Sequence, residues 1–147
     1  MAAHVRRQIR EAAKLALTGL PSTGARVFSG DPFAKSTDDG AFLVVAAPEE
    51  VRDDDLSDIG RISGRRMTLL IIGEAEALDI EDVLDAIALE VEAALEGQTF
   101  GGLAKTTIFM RAGKDVSDIG KQRSGQVRIE FAVPYRVRSG QPDTAAG

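Results

Sequence analysis

The segment 79–96, DIEDVLDAIALEVEAALE, gives the strongest structural signal in the chain. Its apolar residues recur at steps of three and four, which places them on one face of an α-helix. This stripe consists of Ile80, Val83, Leu84, Ile87, Val91, Ala94 and Leu95. Asp79 is predicted to cap the N-terminus, and Gly97 suits the left-handed position that ends many helices. The segment therefore predicts an amphipathic helix packed against a core.

A second helix and a long strand lie near the two ends of the chain. Residues 3–18 show the same helical spacing of apolar residues, and Gly19 and Pro21 end that pattern. Residues 126–138, QVRIEFAVPYRVR, alternate between apolar and polar positions. This alternation predicts a strand with one buried face. Its apolar positions are Val127, Ile129, Phe131, Val133, Tyr135 and Val137.

Shorter apolar segments are predicted as four further strands, at residues 25–29, 41–47, 66–73 and 105–111. Residues 48–65 and 112–125 are polar and lack periodicity, which is typical of long exposed loops. The sequence therefore predicts an α+β fold, with an antiparallel or mixed sheet of about five strands and two helices packed on one face. One domain is expected over residues 1–140, followed by a flexible C-terminal tail at 141–147.

Composition excludes several classes of function. The chain has 147 residues, no cysteine and a net charge of −5. A free-standing nucleic-acid-binding protein usually has a basic surface, which this charge does not favour. No apolar run approaches the ~20 residues of a membrane span, and the first residues lack the apolar segment of a signal peptide. We expect a soluble protein with no membrane partner.

Reactive residues are scarce. The single histidine, His4, lies near the N-terminus and is expected to be solvated. Because there is no second histidine, Ser57 and Ser117 have no base to activate them as nucleophiles. Asp53, Asp54, Asp55 and Asp58 could offer oxygen ligands to a cation. Their spacing does not fit the twelve-residue calcium loop. The sequence predicts no enzyme, no cofactor and no metal site.

One short repeat is present. Residues 55–61, DLSDIGR, match residues 115–121, DVSDIGK, and each copy precedes a predicted strand. The repeat is explained equally well by shared turn chemistry or by two similar arms that contact a partner.

The order of segments resembles the tail terminator proteins, also called minor tail or tail completion proteins, of long-tailed bacteriophages and gene-transfer particles. The resemblance runs from about Val5 to Gly140. It rests on an initial helix HVRRQIREAAKLALTGL, a strand RRMTLLIIGEA, the helix DIEDVLDAIALEVEAALEG, a strand GGLAKTTIFM and a closing strand RIEFAVPYRVRSG. The loop at 48–65 departs from the family pattern.

This resemblance implies a non-enzymatic protein of the virion tail, assembled in the host bacterial cytoplasm. Such a protein forms a homo-hexameric ring on the head-proximal end of the tail tube, stops tube polymerisation and joins tail to head. Its partners would be further copies of itself, the tail tube protein and a head–tail connector or neck protein. DNA would pass through the ring without specific binding. The alternatives are another connector or stopper protein, a tube-forming protein, or a small α+β ligand-binding domain.

Two sets of residues are candidates for this role. Acidic side chains in the loop 48–65 would line the channel or one ring face, because a negative wall does not retain DNA phosphates. These are Asp53, Asp54, Asp55 and Asp58. Subunit contacts would pair arginines of the last strand with carboxylates of the long helix. These are Arg128, Arg136 and Arg138 with Glu92 and Glu96.

Overall fold

Six strands form one curled, mixed sheet in the computed structural model, which describes residues 3–30, 37, 40–118 and 123–146. The elements in chain order are α1 (Val5–Leu17), β1 (Val27–Ser29), β2 (Phe42–Arg52), β3 (Ile62–Glu76), α2 (Ile80–Leu95), β4 (Ile108–Ser117), β5 (Ser124–Arg138) and β6 (Gln141–Ala145). Strand order is β1-β2-β3-β5-β4, and β6 pairs with β5. Only β1 and β2 pair in parallel among these strands. The predicted α+β class is confirmed.

Both helices pack on the same face of the sheet. The buried stripe of α2 and the apolar side of β5 belong to one hydrophobic core, which also includes Val5, Ile9, Ala13 and Leu17 of α1. A smaller apolar cluster lies on the opposite face, which is called the outer face below. It contains Phe42, Val44, Leu70 and Ile72. These four side chains are buried, and Phe28 and Ala46 pack against them.

Strand occupies about half of each of the two long loops predicted at 48–65 and 112–125. β2 and β3 continue as a paired hairpin to Arg52 and Arg65, and a short 3-10 turn at Asp54–Leu56 connects them. β4 continues to Ser117, although residues 119–122 of the second loop lie outside the described part. These ends are polar because they lie beyond the apolar core: most side chains of 48–52 and 112–115 are exposed, and Glu50 is half-buried among charged partners. Apolar alternation was therefore not a usable signal.

Three smaller expectations also differ from the structure. The C-terminal segment contains β6, whose neighbour Ala146 donates its N–H to the Arg136 carbonyl at 2.9 Å. Asp79 occupies the cap position of α2 without a capping side-chain hydrogen bond. His4 is half-buried rather than solvated, because its Nδ1 caps α1 by accepting the Arg6 N–H at 3.0 Å.

The repeated segments adopt different structures where they are described. Residues 55–61 lie in the turn after β2, whereas the second copy begins inside β4. Its Ile119, Gly120 and Lys121 are outside the described residues. The described parts therefore do not form two equivalent arms.

Candidate functional site

The connection between β2 and β3, residues 53–61, forms an ordered tip. The Ser57 hydroxyl donates to the Asp53 carbonyl at 2.8 Å and accepts the Gly64 N–H at 2.9 Å. The Arg136 guanidinium donates to the Leu56 carbonyl at 3.0 Å. Side chains thus satisfy backbone groups that a turn leaves open, which fixes the tip relative to the sheet.

The four aspartates predicted to line a channel all lie on this tip. Three of them form ion pairs with arginines of the same hairpin. The pairs are Asp54–Arg52 at 2.6 Å, Asp58–Arg61 at 3.8 Å and Asp53–Arg66 at 3.5 Å. The tip is therefore much less negative than its run of aspartates indicates.

Ile59, on the same tip, is 90% exposed. Its neighbour Gly60 has a φ of +77°, a backbone conformation in which glycine is favoured over other residues. The tip thus presents one bulky aliphatic side chain to solvent, flanked by charged residues.

The predicted interface arginines and glutamates lie on opposite sides of the sheet. Arg128, Arg136 and Arg138 alternate with the buried residues of β5, so they project from the outer face. Glu92 lies on α2 and Glu96 at its C-terminal cap, on the helix side. The two sets therefore do not meet within one subunit.

Glu96 has a local role as well. Its carboxylate accepts the N–H of Phe109 in β4 at 2.8 Å. Glu90, considered with these acids because it also lies on α2, instead accepts both the N–H and the hydroxyl of Ser22, at 2.9 and 2.5 Å. Glu90 thus fastens the turn after α1 to α2.

Strand β4 is an exposed edge that the sequence did not identify. It pairs with β5 on one side, and no strand of the described residues pairs with its other side. Ile108, Phe109 and Met110 are all exposed. Three consecutive apolar residues in a strand cannot all point to one side, and this was the signal available in the sequence. Lys114 turns back to α2 and binds Glu81 and Asp85 at 2.7 and 2.8 Å, and these hydrogen bonds raise its pKa.

An open groove of about 320 Å³ crosses the outer face between β2 and β4. Thr68 and Ala132, paired across β3 and β5, form its floor. Val51 and Met110, which are 57% and 55% exposed, stand at its two sides. Its rim carries charged side chains from four strands. These are Glu49, Arg66, Arg111 and Glu130.

A second open cleft of about 530 Å³ lies near the far end of β3. Glu74, Glu76 and Asp115 contribute carboxylates to it, and burial raises the pKa of Glu74. Among residues 3–30, 37, 40–118 and 123–146, no group of three or more histidine, cysteine, aspartate or glutamate side chains could hold a metal ion.

A charged cluster joins α1 to the helix side of the sheet, on the face opposite the groove. Glu50, whose side chain is only 13% exposed, lies 2.5 Å from Arg6 and 3.3 Å from Arg65. The Tyr135 hydroxyl donates to the second Glu50 oxygen. Burial is the main cause that raises the pKa of Tyr135, and its hydrogen bond to Glu50 adds to the effect. One carboxylate thus pairs with two cations and accepts the hydrogen bond of a buried hydroxyl.

His4 belongs to the same cluster. The Arg65 guanidinium lies 3.1 Å from its Nε2, while Nδ1 accepts the Arg6 N–H. Burial lowers the pKa of His4, and the positive charges of Arg6 and Arg65 lower it further against the opposing carboxylates of Glu50 and Asp143. A protonated ring would carry an N–H on both nitrogens, one facing the Arg6 N–H and the other facing the Arg65 guanidinium. The neutral ring is therefore favoured.

This geometry sets the sign of a pH dependence. Because the pKa of His4 is lower in the folded chain than in the unfolded chain, the unfolded state takes up the proton first as the pH falls. We expect full stability above about pH 6.5, the ordinary histidine pKa, and a melting temperature a few degrees lower at about pH 5.5. In His4→Asn the side chain still caps α1 but does not titrate. Thermal melts should show a smaller fall for this variant, and an equal fall in both proteins would contradict the assignment.

No helix among the described residues is long and apolar enough to cross a membrane.

No protein-family model and no curated protein matches the chain in sequence. One chain in a solved structure of the virion of a native gene transfer agent (GTA) particle is structurally similar to this chain. The two chains share 18% identity at a TM-score of 0.47, with 89% of this chain and 92% of the other covered. Similarity of this degree does not establish what the protein does.

Proposed function

We propose that the protein is a structural component of a phage-like virion, in which identical copies form a ring on the head-proximal end of the tail tube. The ring, expected to be a hexamer, ends tube polymerisation and provides the surface to which a head–tail connector or neck protein binds. The resemblance of the sequence to tail terminators supports this role.

The separation of charge between two sides of the subunit carries the proposal. α2 contains five carboxylates and no basic residue, whereas β5 presents Arg128, Arg136 and Arg138 on the outer face. A ring of identical subunits is built from two different surfaces that complement each other. The acidic helix of one copy and the arginines of β5 in the next would be such a pair, with Glu92 and Glu96 as the partners for these arginines.

The acidic tip is assigned to the channel or to one face of the ring. Asp54, Asp55 and Asp58 are exposed, and carboxylates repel DNA phosphates. Since part of this charge is neutralised by arginine within the hairpin, the wall would be weakly negative and allow DNA to slide past without specific binding.

Charge reversal tests the subunit contact. We expect light scattering to give a mass near six copies, and electron microscopy to show the ring on the ends of tail tubes from the same particle. Replacing Arg128 and Arg138 together by glutamate should abolish both signals. Mixing that variant with a Glu92→Lys, Glu96→Lys chain should restore assembly, because opposite charges face each other again.

The matched control is Arg7→Glu, which reverses an exposed charge on α1 and should leave assembly unchanged. A double arginine variant that still forms rings on tube ends would overturn the charge pairing. Open filaments would indicate a tube-forming protein instead, and a chain that never binds tube ends would remove the terminator role.

A further inference from the structure

We propose that the Glu96 carboxylate closes the edge of β4 that faces away from β5, so that a strand of another chain does not pair with it. The role belongs to a contact within one copy of the chain. It is additional to the subunit contact proposed above and does not depend on the ring.

The edge of β4 offers what the addition of a strand requires. The strand is ten residues long, and no strand of the described part of the chain pairs with its other side. Ile108, Phe109 and Met110 are 39%, 38% and 55% exposed. An unpaired edge presents backbone N–H and C=O groups to other chains, and folded proteins need a device that prevents this pairing.

Phe109 is the position at which pairing is blocked. Its N–H donates to Glu96 Oε2 at 2.8 Å, so this N–H points away from β5. Because the N–H and C=O of one residue in a strand point to the same side, an added strand would have to bond to both groups of Phe109. The carboxylate already occupies the N–H, and its negative charge lies where an incoming carbonyl oxygen would approach. Pairing there would break a hydrogen bond to a charged acceptor, which is the stronger kind.

The backbone around Glu96 holds its side chain beside the edge. Glu96 is the C-terminal cap of α2, and the next residue, Gly97, donates its N–H to the Thr107 carbonyl at 2.8 Å. The Thr107 hydroxyl, in a residue only 1% exposed, donates to the Gln98 carbonyl at 2.8 Å. These bonds tie the end of α2 to the residue just before β4. The carboxylate therefore reaches the edge from a fixed position.

This role is compatible with the place of Glu96 in the proposed subunit contact. Phe109 uses one oxygen of the carboxylate, Oε2. A carboxylate accepts hydrogen bonds through two oxygens, with about four lone-pair sites. An arginine of the next copy can therefore bind Glu96 while the Phe109 N–H stays occupied, and the edge remains closed within a ring.

Hydrogen exchange of the Phe109 amide tests the closing contact. The chain used carries Arg128→Glu and Arg138→Glu, which remove the proposed subunit contact, and is kept in dilute solution. Adding Glu96→Ala should speed exchange of the Phe109 N–H about tenfold, because its hydrogen bond to a charged acceptor is lost. The matched control, Glu92→Ala, removes a carboxylate one turn earlier on α2 and should leave the exchange unchanged. Glu96→Gln should retain most of the protection, because an amide oxygen also accepts.

Self-association of the same chains tests the consequence. In light scattering over a concentration series, Glu96→Ala should associate at a roughly tenfold lower concentration than Glu92→Ala, as expected when one such hydrogen bond no longer opposes pairing. Adding Met110→Lys to the Glu96→Ala chain should restore the monomer, because a lysine on a strand edge opposes pairing. Met110 is 55% exposed, so this change leaves the core intact and locates the association on β4.

Three results would overturn the closed edge. They are a Phe109 amide that exchanges equally fast with and without Glu96, a Glu96→Ala chain that associates no more than Glu92→Ala, and an association that Met110→Lys does not reduce. Wild-type rings on tube ends together with any of these results would leave the proposed function in place. A closed edge in a chain that never binds a tail tube would support Glu96 in this role and remove the terminator role.

Discussion

Replacing Glu50 by glutamine is expected to lower the free energy of unfolding by about 3 kcal/mol, a typical result of removing one partner from a buried ion pair. The change would leave the Arg6 and Arg65 guanidinium groups without the carboxylate they share. It would also replace the charged acceptor of the Tyr135 hydroxyl by a neutral amide. We place the effect at the lower end of the usual range because Arg6 is partly solvated. Urea unfolding followed by circular dichroism measures it.

Two companion variants make this result specific. Tyr135→Phe removes only the hydroxyl and should cost about 1 kcal/mol, the usual contribution of one hydrogen bond. Glu49→Gln changes the exposed neighbour of Glu50 and should alter stability by less than about 0.5 kcal/mol. If Glu50→Gln were as mild as Glu49→Gln, the cluster would not be what holds α1 to the sheet.

Replacing Gly64 by alanine is expected to cost about 2–3 kcal/mol, within the range found when atoms are forced into a packed site. A Cβ at this position would lie 2.4 Å from the Leu56 Cβ and 2.5 Å from its carbonyl carbon. Backbone atoms cannot move aside as a side chain can, so the tip must shift. Thermal unfolding measures the loss of stability.

Gly113→Ala is the control for this variant. Gly113 lies in β4, and no heavy atom outside its chain neighbours would lie within 4 Å of an added Cβ. A glycine-to-alanine change without strain is neutral or slightly stabilising. Equal stabilities for the two variants would mean that Leu56 does not pack against Gly64 in solution.

The sequence predicted the elements whose periodicity comes from burial. α2 and β5 each place one face in the main core, so spacing alone located them. The same argument fails for the outer ends of β2, β3 and β4. There the backbone pairing continues from Glu49 to Arg52 in β2 and through Lys114 in β4. Glu50 faces a charged cluster instead of the apolar core, and Glu49 and Arg52 are exposed, so burial in the core does not select apolar side chains at these positions.

The candidate surfaces were predicted less completely than the fold. Charge type was readable, so the arginines of β5 and the acids of α2 and the tip were named in advance. Their local pairing could not be predicted, because Arg66 reaches Asp53 only when the β2–β3 hairpin forms, and Arg136 reaches Leu56 only after β5 pairs with β3. The cluster around Glu50 joins residues from positions 6 to 135, a span that local spacing cannot anticipate.

The register shift in β4 affects how readily copies of the chain can aggregate by pairing along this strand edge. An unpaired strand edge ten residues long would template fibres if it were straight, since each added chain exposes the same edge again. Here the pairing with β5 slips between Phe109 and Arg111. Such an irregularity bends and twists the strand. A bent edge pairs less readily with a second copy of itself, so the irregularity disfavours unlimited growth along β4.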